Sequence, residues 1–170
     1  FRRVLFRSVG SDLFRFLSDE ALFHYYESTI MDLYLRHCNS ADFGPDRILL
    51  SEPLMDDIVE KAEEVIATGD YAADLRFGHD WPMLSFASYI GIEGVGDRLT
   101  VDEARANWKG FFNVPFAVNL QMVFYRNKQG DILVKFLYNE KEVLLRGLEP
   151  VTGPYYSWET FKQNTKGYLR

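Results

Sequence analysis

Residues 72–84 read Ala-Ala-Asp-Leu-Arg-Phe-Gly-His-Asp-Trp-Pro-Met-Leu, and the adjacent His79 and Asp80 are the pair in this chain best placed for proton chemistry. The short apolar run Ala72 to Phe77 reads as a strand, Leu75-Arg76-Phe77 at its centre, that stops at Gly78. Pro82 then opens an apolar helical stretch, Met83 to Ile90. A strand-turn-helix junction presents unpaired backbone N–H groups and the positive end of a helix dipole to the turn, which suits an anion. A carboxyl group at the same place can pass a proton to or from whatever the anion is bonded to. His79, after the strand and the glycine, is placed to donate a hydrogen bond to that anion. Gly78 permits close backbone approach. Structural uses compete with these. Asp80 ahead of Trp81-Pro82 is an ordinary helix N-cap, worth about 1 kcal/mol. Arg76 points away from Phe77 by strand alternation and is either an anion ligand or a solvent-facing strand residue. Trp81 and Met83 are core or substrate wall; Asn119 and Gln121 are rim contacts or polar sheet positions.

Other groupings are weaker. Arg36-His37-Cys38 lies on a helical pattern and reads as the polar end of a helix. His24 sits beside Tyr25-Tyr26, in the core or on the surface. Three histidines without a common spacing give no metal site. Gly91, Gly94 and Gly96 follow a helix instead of opening one, so they are a loop and not a dinucleotide fingerprint. No G-x-S-x-G nucleophile elbow is present.

The elements that must position His79 and Asp80 are legible from caps and periodicity. Ser18, with Asp19 and Glu20 behind it, starts a helix that carries Leu22, Phe23, Tyr26, Ile30, Leu33, Tyr34 and His37 on one stripe. A loop, Asn39 to Arg47, is broken at Gly44-Pro45. Ile48-Leu49-Leu50 is strand or packed loop. Ser51 caps a second helix with Pro53 in its first turn and Gly69 at its end; Leu54, Ile58, Val59, Ala62, Val65 and Ile66 form its apolar stripe. Thr100 caps a short helix through Ala106. Val118 to Arg126 and Ile132 to Tyr138 flank Asn127-Lys128-Gln129-Gly130, a hairpin signature, and Val143-Leu144-Leu145 extends the same sheet. Ser157 caps a last helix, Trp158 to Leu169. Alternating helices and strands predict an α/β fold, a layered α/β sandwich.

Composition narrows the partners. The chain has 170 residues, 47% of them hydrophobic and 16% aromatic, enough for one domain with a sizeable core. Its formal charge of −6 disfavours nucleic acid and anionic membranes, so any positive field for an anionic substrate must be local. No apolar run approaches the ~20 residues of a membrane span. Cys38 is alone, so no disulfide forms within the chain. Phe1-Arg2-Arg3-Val4-Leu5-Phe6-Arg7-Ser8 resembles the in-frame translation of a sequencing adapter, as from a metagenomic assembly. Residues 1–8 are therefore set apart from a domain at 9–170. Without their three arginines the charge is more acidic by three.

The stretch Leu75-Arg76-Phe77-Gly78-His79-Asp80 resembles the second signature of the histidine acid phosphatase family, branch two of the histidine phosphatases, which includes phytases and multiple inositol polyphosphate phosphatases. The resemblance runs from about Leu54 to the C-terminus and takes in Asn119-Leu120-Gln121-Met122-Val123-Phe124-Tyr125-Arg126. It takes the His-Asp form, not the His-Ala-Glu form of the inositol polyphosphate enzymes. The family's first signature, R-H-G-x-R-x-P with its nucleophilic histidine, is absent from the sequence. The resemblance therefore implies the C-terminal part of a phosphomonoester hydrolase acting on inositol phosphates or sugar phosphates. It implies Asp80 as general acid and His79 as the contact to the transferred phosphoryl group, while the family's phosphate-clamping arginines lie upstream; Arg76 and Gly78 are candidate substrate contacts by their place before the pair. It implies no metal or organic cofactor, a periplasmic or secreted location, and no turnover by this chain alone. Read without the resemblance, the same residues also fit a non-catalytic α/β binding or interaction domain in which His79-Asp80 is only a capped loop.

Overall fold

Capping side chains and apolar spacing resolve into six α-helices and four strands among the described residues. The computed structural model describes residues 13–166; the tail at 1–8 lies outside them. Helix α1 spans Asp19–His37. Ser18 Oγ accepts from the Ala21 N–H at 3.1 Å, and Asp19 and Glu20 at the start and Arg36 at the end complement the helix dipole. Its outer half stays open to solvent, with Phe23 exposed, while Tyr34 is fully buried. The Tyr34 hydroxyl accepts from the Leu99 N–H at 2.8 Å and donates to the Asp97 carbonyl at 3.0 Å. Burial pushes its pKa up to about 12, so the phenol keeps the proton that ties the 97–99 loop to α1.

Ile48-Leu49-Leu50 becomes a 3-10 turn, Ile48–Ser51, that runs straight into α2, Glu52–Thr68. The expected Ser51 cap does not form. Ser51 already has helical backbone angles, so its side chain makes no capping bond. Met55 is the fully buried residue of α2; Leu54, expected in its stripe, is exposed. Gly69, at φ 71°, ends the helix as expected.

The expected strand Ala72–Phe77 does not form either. Every residue from Ala67 to Pro82 is exposed, and the stretch from Ala73 to Gly78 has no hydrogen-bonded secondary structure. A strand is defined by a neighbour that takes its N–H and C=O groups. None of the four strands among the described residues lies beside this one.

Helix α3, Asp80–Ile90, starts earlier than the apolar run suggests. Residues Leu84 to Ile90 are all buried, which makes α3 the central helix of the core. Gly91, at φ 81°, closes it. The 91–96 loop folds back onto it so closely that a Cβ on Gly96 would lie 2.8 Å from Ser88 Cα and 3.2 Å from the Ser88 carbonyl oxygen. Backbone atoms of a buried helix cannot step aside as a side-chain tip would. Gly96→Ala is therefore expected to destabilise the fold by about 1–3 kcal/mol. Gly78→Ala, with nothing within 4 Å of the added carbon, should change stability by no more than about 0.5 kcal/mol. Urea unfolding of both variants checks the contrast, and equal midpoints would mean that the 91–96 loop does not pack as described.

Helix α4, Val101–Asn107, begins with the reciprocal bonds of a capping box between Thr100 and Glu103. A single turn, α5, Gly110–Asn113, leads to the sheet. Strands β1, Leu120–Arg126, and β2, Ile132–Tyr138, form the expected hairpin, with Leu120 opposite Tyr138 and Arg126 opposite Ile132. β3, Lys141–Glu142, and β4, Tyr155–Ser157, share the other edge of β2, and all pairs are antiparallel. Leu145 does not extend the sheet; it bridges to Ile92 after α3. Val134, Phe136 and Tyr138 line the buried face of β2. Ser157 caps α6, Trp158–Gln163, as expected, and the helix ends well before Leu169. The layered α/β arrangement expected from the sequence is present, its sheet antiparallel.

Candidate functional site

His79 and Asp80 sit where a buried helix comes to the surface. The apolar run of α3 anchors its C-terminal half in the core, and its first turn projects among exposed residues. His79, at φ −88° and ψ 163°, occupies the N-cap position, and Asp80 is the first helical residue. The sequence pattern puts the cap one residue later. Asp80 nonetheless does part of a cap's work, since its Oδ1 accepts from the Trp81 N–H at 3.0 Å.

Trp81, half exposed, stands between two imidazoles. Its ring centroid is 5.9 Å from that of His79 and 5.6 Å from that of His37, both nearly perpendicular. His37 Nδ1 lies 3.4 Å from Ser85 Oγ, one turn further along α3. The C-terminal end of α1 is thus packed against the N-terminal turn of α3. Burial, and next the positive charge of Arg47, push the His37 pKa below its ordinary value; Asp32 and Asp80 act the other way and Arg36 with Arg47. The shift favours the neutral form of His37, which feels the charges of both Asp80 and Arg47. The sequence shows it only as a helix end. It is a helix end, but the spacing that puts it on the stripe of Ile30 and Tyr34 also turns it toward α3.

Arg76 does not stand free. Nη2 lies 2.8 Å from Asp74 Oδ2, and Nη1 bonds Asp57 on α2. These pairs tether the open segment to α2. They are surface pairs of the kind worth at most about 1 kcal/mol, so an anion could displace them. Gly78 has open space around it. Gln121 Nε2 of β1 donates to Asn119 Oδ1, just before the strand, at 3.2 Å, so both serve the hairpin. His24 is exposed on α1 between Glu20 and Glu27. Cys38 is buried with its thiol pushed up to about 12, which removes it as a nucleophile. Among the described residues no three His, Cys, Asp or Glu side chains could hold a metal ion, and no helix is long and apolar enough to cross a membrane. The junction therefore offers a helix N-terminus, a hydrogen-bond donor, a carboxyl group and an aromatic wall, open to a ligand from solvent.

No protein-family description and no curated protein sequence matches the chain. Solved structures do. The fold matches the multiple inositol polyphosphate phosphatase of Bifidobacterium longum in its complex with inositol hexasulfate, with a TM-score of 0.67 and 24% identity, over 78% of this chain and 29% of that one. The complex of that enzyme with phosphate gives 0.67 and 21% over 81% and 30%, and its apo form 0.62 and 22% over 79% and 30%. The chain thus spans less than a third of the length of these neighbours. At these identities the likeness establishes the fold alone, that of part of the Bifidobacterium longum enzyme.

Proposed function

We propose that this chain carries the acid half of the active site of a histidine-type acid phosphatase, a phosphoric monoester hydrolase of inositol phosphates or sugar phosphates. The observation that carries the reading is His79-Asp80 at the exposed N-terminus of buried helix α3, in a fold shared with an inositol polyphosphate phosphatase. The reaction runs in two displacements. A histidine supplied by the rest of the parent protein attacks phosphorus. The P–O bond to the alcohol breaks, and Asp80 gives its proton to the departing oxygen. Water then attacks phosphorus, the N–P bond breaks, and Asp80 takes the proton that water releases. His79 donates a hydrogen bond to the phosphoryl oxygens, whose charge must be held through both steps. The helix N-terminus supplies a local positive field that the acidic chain otherwise lacks. Trp81 offers an aromatic wall beside the pair.

The chemistry needs no metal and no organic cofactor, since histidine is the group carrier and Asp80 the proton carrier. The ligand is a small phosphomonoester, and a periplasmic or secreted location goes with the family resemblance. Two components stay outside the chain, the nucleophile and the arginines that would clamp the phosphate. The 170-residue chain alone is therefore expected to show no turnover of nitrophenyl phosphate above buffer. Joined to a parent that carries R-H-G-x-R, it is expected to be active. Turnover by the chain alone, in protein free of host phosphatases, would place the nucleophile within it and overturn the reading.

A further inference from the structure

Trp81 follows directly on Asp80, and its residue type suits either a core or a substrate wall. The structure decides between them. From Leu84 onward α3 is buried, whereas Trp81, one turn before, is 48% exposed; Trp108 and Trp158 are 3% and 1% exposed. The ring is nevertheless held. It meets His79 at the N-cap and His37 of α1 edge to face, with centroids 5.9 and 5.6 Å away. His37 in turn lies 3.4 Å from Ser85. Two imidazoles therefore fix a large apolar surface beside the carboxyl group that meets the leaving alcohol.

The charges around the pair are balanced. Arg36 Nε lies 2.5 Å from Asp32, and Arg76 is bound by both Asp57 and Asp74. The charge of Arg47 reaches His37, where those of Asp32 and Asp80 oppose it. A phosphate that displaced one of these pairs would meet the carboxylate it released. This side of the site thus holds no surplus of positive charge for phosphates beyond the one being transferred.

We propose that Trp81 is a specificity-determining residue that selects a monophosphorylated hexopyranose over an inositol polyphosphate, by laying its ring against the C–H face of the sugar. The inference rests on the phosphatase reading and narrows its substrate. An aromatic face is electron-rich and attracts the weakly positive C–H groups that a pyranose ring presents together. A ring with a phosphate on every carbon instead brings several dianions to a surface whose charges are already balanced.

The test compares three substrates in the full-length parent: glucose phosphorylated on its primary hydroxyl, glycerol phosphorylated on a primary hydroxyl, and inositol hexakisphosphate. The first two release alkoxides of similar basicity and differ in the ring, so the demand for a general acid is alike in both. The glucose ester is expected to give the highest kcat/KM. Trp81→Ala should lower that value about tenfold, chiefly through KM, a several-fold larger loss than for the glycerol ester. Trp81→Tyr keeps an aromatic face and should recover most of it. A variant that merely disturbed the first turn of α3 would hurt both esters alike. An active parent that prefers either other substrate, or in which Trp81→Ala slows both monophosphates equally, would overturn this inference and leave the phosphatase reading intact. A parent without phosphatase activity would overturn that reading and the inference with it.

Discussion

Asp80→Asn in the full-length parent is expected to slow phosphorylation of the enzyme by an alkyl phosphate by ~10²–10⁴, the usual range for loss of a general acid. With nitrophenyl phosphate the same step should slow far less. The difference lies in the leaving group. A sugar or inositol alkoxide is strongly basic and needs a proton as the P–O bond breaks; nitrophenolate departs without one. The substitution isolates this role because Asn keeps the carbonyl oxygen that accepts from the Trp81 N–H, so the first turn of α3 should survive. His79→Ala should behave differently and hurt both substrates, because it removes a contact to the phosphoryl group that both share. Rapid-quench measurement of phosphoenzyme formation separates the first step from hydrolysis of the intermediate. Equal slowing of both substrates by Asp80→Asn would leave Asp80 as a structural residue at the helix start and nothing more.

Trp158→Ala is expected to cost about 3–5 kcal/mol, which lowers the thermal midpoint by on the order of 10 °C. Trp158 is 1% exposed and joins three elements. Its ring meets Phe124 of β1 edge-on, with centroids 5.0 Å apart, and stacks on Phe161 of α6 at 5.7 Å. Its Nε1–H donates to Glu63 of α2, which also takes a hydrogen bond from Lys162 at 2.7 Å. Those two bonds, that of Lys162 first, hold the Glu63 carboxyl below the usual range. Alanine would leave a cavity that the sheet and two helices cannot close. Trp158→Phe keeps most of the volume and loses only the N–H, so its cost should be about 1–2 kcal/mol. Denaturant unfolding of both variants decides the matter, and a loss below about 1 kcal/mol for alanine would mean that α6 is not docked on the sheet.

Local chemistry makes much of this fold readable. Ser18, Thr100 and Ser157 each mark a helix start because the capping bond closes over three residues. Gly69 marks an end because the left-handed conformation there favours glycine. The hairpin is written in Asn127, whose side chain accepts from Asp131 N–H at 2.8 Å, and in Gly130 at φ 94°. Where pattern and structure part, neighbours far along the chain decide. Ser51 has the composition of a cap, but the turn before it has already made its backbone helical. Asp80 reads as the cap because Pro82 follows two residues on, where proline is at home in a first turn; the cap falls on His79. Ala72–Phe77 has the residues of a strand without a partner to make it one. His37 has no motif around it, and only the packing of α1 on α3 brings its ring to Trp81. The His79-Asp80 junction is legible because glycine and helix start are local signals. Its electrostatic surroundings, Arg47 and His37, are tertiary.

One measurement tests the division of labour most directly. The full-length parent is mixed briefly with radiolabelled substrate, quenched in alkali, which preserves phosphohistidine, and digested for peptide mapping. The expected result is an acid-labile label on a histidine outside residues 1–170, which accumulates when Asp80 is replaced by Asn and nitrophenyl phosphate is the donor. A label on His79, His37 or His24, or an active enzyme that never becomes labelled, would contradict the assignment of this chain to the acid half of the site.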